Sequence, residues 1–161
     1  MESKSNGRSF IALSFLIAFV LATIPLSNTL ELLRPEWVLL VLLYWVIALP
    51  ERYGLVFAWI VGLLVDFVEG GLLGQHAITF ALSAFFALSL HQQFRMFSRV
   101  QQTLLVGMAI VIYEMIDVTI QDISGNTSFS FLVFLPVFTS AMVWPLIFSF
   151  LRGLRRRYRI Q

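Results

Sequence analysis

The chain has 161 residues, 59% of them hydrophobic and 12% charged, with a formal net charge of +2. A water-soluble domain carries about a quarter charged residues, so this chain cannot clothe itself in a polar surface, and lipid is the solvent implied for most of it. Cysteine is absent, which excludes disulfides, thiol catalysis and thiolate metal sites.

Crossing a hydrocarbon core takes roughly 20 apolar residues in a helix, and polar and turn residues divide the chain into six apolar segments. The first, 9–26, follows a short basic leader; no small-x-small cleavage site comes after Leu26, so it reads as an uncleaved helix. The second, 35–49, lies between RPE (34–36) and PER (50–52). Its reach is only about 20–25 Å at 1.5 Å per residue. Either Arg34, Glu36, Glu51 and Arg52 snorkel to the interfaces, or the helix begins earlier, near Leu30, or the segment is re-entrant. The third, 53–68, ends in EGG (69–71), and the fourth is 76–90. In the stretch HQQFRMFSRVQQ (91–102), Phe94, Phe97 and Val100 at helical spacing predict an interfacial helix, which is also a candidate docking surface. The fifth is 103–120, and the sixth, 129–151, carries Pro136 and Pro145. The runs lack the alternation of a barrel strand. Backbone groups in lipid must be satisfied within the segment, which leaves helices.

Charge gives an independent orientation. With six spans and a cytoplasmic N-terminus, the inner segments hold Lys4, Arg8, Arg52, Arg95, Arg99, Arg152, Arg155, Arg156, Arg157 and Arg159, and the outer segments hold Arg34 alone. That is the pattern expected of cytoplasmic loops. The expectation is therefore an all-α integral membrane protein, a single polytopic domain over 1–161 with both termini cytoplasmic. The tail RGLRRRYRIQ is expected to meet anionic lipid headgroups, each arginine gaining about 1 kcal/mol. A juxtamembrane basic cluster is the ordinary topological signal, so no nucleic-acid partner is inferred.

Ionisable groups within spans are costly unless paired or protonated, and they mark the places to look for function. Asp66, Glu114 and Asp117 fall in the outer half of the bilayer, about 13, 11 and 14 residues from the cytoplasmic ends of their helices. Glu114 and Asp117 share a helix face. Arg34 enters at the same level as the most available counter-charge, and His76 follows the glycine-rich turn. In GLLVDFVEGGLLG (62–74), Gly62 lies one turn before Asp66 and lets a neighbouring helix approach that face. Gly70 and Gly74 permit a tight re-entry, in which Asp66 can accept N–H groups from the loop or the next helix start. Two intramembrane carboxylates, Asp66 and Asp117, raise the question of acid–base catalysis. Neither sits in a recognisable protease motif, and the histidines lie beside no nucleophile motif. There is no HExxH, no phosphate-cradling loop and no metal-ligand spacing, so no cofactor or metal is expected.

GLLVDFVEGGLLG resembles the glycine–aspartate–glycine segment of the MreD family of bacterial rod shape-determining membrane proteins. RPEWVLLVLLYWVIALPER (34–52) resembles the segment before it, and MVWPLIFSFLR (142–152) the family's closing helix. The resemblance implies a non-enzymatic scaffold or regulator of the elongation complex in the inner membrane. Its implied partners are MreC, a single-pass protein, together with MreB, RodA and the elongation penicillin-binding protein. It also implies a fold like the substrate-binding S-component of energy-coupling-factor transporters. That likeness keeps a small-molecule transporter subunit open as the alternative, with Asp66, Glu114, Asp117 and His76 lining a cavity. Gly62, Asp66, Gly70 and Gly74 match the family's segment, while Glu114 and Asp117 match loosely. With Arg34, these are the candidate structural or partner-contact residues. MreC's helix along the small-residue seam is one expected docking mode.

Overall fold

Proline and glycine set several helix ends. The computed structural model describes residues 2–70, 72–94, 96–123 and 131–157. Gly71, Arg95, Arg159 and the start of the sixth apolar segment, 129–130, lie outside them. Helix α1 (Glu2–Thr23) stops two residues before Pro25, because the residue preceding a proline is pushed out of the helical region. A single turn, α2 (Asn28–Glu31), leads to Pro35 and then to α3 (Trp37–Ala48), which ends before Pro50. The remaining elements are α4 (Leu55–Glu69), α5 (Gln75–Ser89), the turn α6 (His91–Phe94), α7 (Arg99–Ile123), a 3-10 turn (Phe131–Phe134) and α8 (Leu135–Arg157). No strand occurs among the described residues. In α8, Pro136 sits in the first turn, where a missing N–H costs nothing, and Pro145 removes an amide from the helix interior.

The short α3 is the hub. Val38 to Val46 are all buried, and α3 touches α1, α4, α5, α7 and α8. A helix apolar on every side belongs in the centre of a bundle. Protein surrounds it along the buried stretch. It does not begin near Leu30; that residue lies in α2, and Pro35 separates the two helices. Polar ties fix its angle. The Trp45 Nε1–H donates to Ser14 Oγ of α1 at 2.9 Å, and the Glu36 N–H donates to Ser140 Oγ of α8 at 2.9 Å. Around α3, α4 packs on α5, α5 on α7 and α7 on α8.

The stretch 91–102 does not form one interfacial helix. Its first turn, α6, buries Phe94, and α7 begins afresh at Arg99. Ser98 and Gln101 explain the restart: the Ser98 N–H donates to Gln101 Oε1 at 2.9 Å, and the Gln101 N–H reaches back to Ser98 Oγ at 3.4 Å. This reciprocal pairing satisfies two donors that a helix start leaves without partners. Gln102 Nε2 then donates to the carbonyls of Phe94 and Phe97, closing the break.

Outward faces are apolar. On α8, Phe138, Met142, Leu146 and Phe150 recur every four residues and are all exposed; on α4, Val56, Ile60, Leu64 and Phe67, spaced four, four and three apart, are exposed too. Asp66, Glu114 and Asp117 are buried instead. Two helices, α7 with 25 residues and α8 with 23, are long and apolar enough to cross a membrane.

Candidate functional site

The α4–α5 hairpin builds the site. Gly70 ends α4 in the left-handed region at φ 70°, donating its N–H to the Asp66 carbonyl at 3.0 Å. Gly74 precedes α5 at φ 99°. These two positive φ values turn the chain back on itself within a few residues, at a steric cost that only glycine avoids. The start of α5 then points its free N–H groups at the side chain of Asp66, one turn inside α4.

Asp66 is almost fully buried, at 1% exposure, and its carboxylate is saturated. Oδ2 accepts the Gly74 N–H at 2.9 Å and the Ala77 N–H at 3.4 Å. Oδ1 accepts the His76 N–H at 2.9 Å and lies 2.9 Å from His76 Nδ1. A carboxylate at a helix start is favoured both by these N–H groups and by the helix dipole. The other imidazole nitrogen, Nε2, lies 3.5 Å from Glu69 Oε2, so His76 bridges two acids of α4.

Gly62 makes the approach possible. A Cβ there would sit 2.4 Å from the His76 carbonyl oxygen and 2.5 Å from the Ala77 Cα. Backbone therefore packs on backbone at the level of the clasp. The small-residue seam is thus occupied by α5 of the same chain, and a partner helix along Gly62 would have to displace it.

Asp117 of α7 forms a second node. The Gln75 Nε2 donates to its Oδ1 at 2.6 Å, and the Gln121 Nε2 to its Oδ2 at 2.5 Å. Gln75 follows Gly74 directly, so one turn carries the partners of both aspartates. Asp66 and Asp117 do not hydrogen-bond each other among the described residues; each is held by its own donors. Glu114 is buried one turn before Asp117, within electrostatic reach of Glu36. Tyr113 packs against both His76 and Phe80. No group of three His, Asp or Glu side chains placed to hold a metal occurs among the described residues.

Among the described residues, Arg34 makes no ion pair with Asp66, Glu114 or Asp117. Its guanidinium donates to the Ala22 carbonyl at 2.6 Å, closing the C-terminal end of α1. Depth alone suggested the pairing with the acids. The fold places Arg34 beside α1, whose last-turn carbonyls lack helical partners and attract a cation.

Sequence reasoning passed over Gln75 and Gln121 as site residues. A visible signal existed for Gln75, an uncharged polar residue between a glycine turn and an apolar helix. For Gln121 the signal was its position four residues after Asp117, on the same helix face.

Exposed aliphatic and aromatic stripes outside, with carboxylates and amides clasped inside, fit a helical membrane protein, organised around a polar turn between two helices. The chain belongs to the MreD family: the family model described as rod shape-determining protein MreD matches residues 3–154. It is similar to the rod shape-determining protein MreD of Haemophilus influenzae, with 32% identity over 161 residues and 99% of each chain covered. No solved structure matches it. Membership in this family implies a part in determining rod shape, and the family is one of shape-determining proteins and not a known enzyme family.

Proposed function

We propose that this protein is a non-enzymatic scaffold of the cell-elongation complex, embedded in the bacterial inner membrane, where it binds MreC and helps control sidewall peptidoglycan synthesis with MreB, RodA and the elongation penicillin-binding protein. In this reading all six apolar segments cross, both termini are cytoplasmic, and the arrangement is like that of a transporter S-component. One observation carries it: Asp66 and Asp117 are spent on backbone and side-chain donors inside the bundle, while the apolar stripes of α4 and α8 face outward. What such a molecule offers to others is helix surface within the membrane.

The Asp66 clasp then has a positioning role. By fixing α5 against α4, it sets the angle at which the exposed stripe of Val56, Ile60, Leu64 and Phe67 is presented. Partner contact is assigned to such outward stripes, with Gly62, Asp66, Gly70 and Gly74 acting through the hairpin. The test is depletion in a rod-shaped cell: rounding is expected, reversed by the wild-type chain and poorly by a Gly62→Leu variant. Retention of rod shape on full depletion would overturn the reading. The alternative, a small-molecule transporter subunit, would instead require Asp66, His76 and Asp117 to open toward a ligand.

A further inference from the structure

A cavity of about 330 Å³ lies at the opposite end of the bundle from the clasp, between α3, α6, α7 and α8. Its wall combines aromatic surface from Tyr44, Trp144 and Phe148 with the guanidinium-bearing Arg152 and Arg155. Arg152 lies 5.8 Å from the centre of the Phe148 ring and is exposed, so the cavity reaches the surface there. Arg155 is half-buried and lies within electrostatic reach of the Tyr44 side chain. Among the described residues, Arg152 has no carboxylate partner.

Two further wall residues carry the argument. Trp144 is 1% exposed and Gln102 8%, and the Trp144 Nε1–H and Gln102 Oε1 have no hydrogen-bond partner among the described residues. Gln102 cannot simply turn over, because its Nε2 already donates to the carbonyls of Phe94 and Phe97. Buried polar atoms of this kind are rare unless something satisfies them. One is a donor and the other an acceptor, and both are carried by residues that line the cavity beside Arg152 and Arg155.

We propose that this cavity binds the headgroup of an anionic phospholipid bearing a free hydroxyl, with its phosphate held by Arg152 and Arg155. The indole N–H supplies a neutral donor to a phosphate oxygen, and Gln102 Oε1 accepts the headgroup hydroxyl. Guanidinium is suited to phosphate by geometry as well as charge. The volume fits a polar headgroup, and the acyl chains would leave past Arg152 along the apolar face of α8. This inference rests on the membrane orientation proposed above, which places the C-terminal end of α8 at the inner leaflet. It does not rest on MreC binding.

The test is native mass spectrometry of the full chain in detergent, titrated with phosphatidylglycerol, phosphatidylcholine or soluble glycerol 3-phosphate. One retained phosphatidylglycerol per chain is expected, weakened about tenfold or more in an Arg152→Gln/Arg155→Gln double variant. Trp144→Phe, which keeps the ring and removes the donor, is expected to weaken it by a smaller factor. An Arg156→Gln/Arg157→Gln variant removes the same charge from exposed positions and is expected to leave retention unchanged. Equal loss in both arginine pairs, or equal retention of phosphatidylcholine, would overturn the proposal. So would occupancy by glycerol 3-phosphate that excludes the lipid. Because the measurement is made in detergent on the chain alone, its failure is separable from a failure to recover MreC or from an inverted orientation in cells.

Discussion

The Asp66 carboxylate lies 2.9 Å from His76 Nδ1 and 2.9 Å from the His76 backbone N–H, so one acid holds both the side chain and the main chain of a residue on the next helix. This double grip, with the Gly74 and Ala77 amides beside it, makes Asp66 the pin of the α4–α5 hairpin.

Replacing Asp66 with Asn keeps the shape but removes the charge and turns an amide toward donors. Each hydrogen bond to a charged group contributes about 1.5–3 kcal/mol, and a loss of that order is expected. Asp66→Ala should cost more, because three backbone N–H groups are left without their acceptor. Thermal unfolding in mild detergent reads both. Unchanged stability in Asp66→Ala would remove the clasp from the fold.

Gly62 and Gly107 form a matched pair. A methyl at Gly62 collides with the His76 carbonyl, whereas one at Gly107 meets nothing within 4 Å. Gly62→Ala is expected to destabilise by about 1–3 kcal/mol through overpacking. Gly107→Ala is expected to be neutral or stabilising by up to about 1 kcal/mol, since alanine is the better helix former. A reversed order in melting temperature would contradict the close approach of α4 and α5.

At the turn, Gly74→Ala must place a side chain at φ 99°, and Gly70→Ala at φ 70°. A cost of about 1–2 kcal/mol is expected at each. Gly70→Asn should be milder than Gly70→Ala, because asparagine tolerates the left-handed cap.

Much of this hairpin was legible in the sequence. Gly62 one turn before Asp66, then glycines at 70 and 74, foretold a close approach, a tight turn and an acid reaching the next helix start. The partner on the side-chain side was not legible. His76 stands ten residues after Asp66, across a turn, where helical periodicity has nothing to say. Arg34 was expected to face the cluster of Asp66, Glu114 and Asp117 because depth in the membrane can be counted from the chain, whereas position around the bundle cannot. The break before α7 was missed for another reason: the spacing of Phe94, Phe97 and Val100 suits a helix, but the Ser98–Gln101 pairing starts a new one between them. The hub role of α3 was implicit in its uninterrupted apolar run, which has no polar face to give to an interface.

Orientation can be read with single cysteines, since the chain has none of its own. Leu72→Cys, in the exposed turn after α4, is expected to react with a membrane-impermeant maleimide in intact spheroplasts. Arg156→Cys is expected to react only after permeabilisation. The opposite pattern would invert the proposed topology.

The central claim is that the protein works by holding a partner within the membrane, and affinity purification of the wild-type chain in mild detergent tests it most directly. MreC is expected to come through with it, at reduced yield from the Gly62→Leu variant. A wild-type chain recovered intact and at normal abundance without MreC would contradict the account.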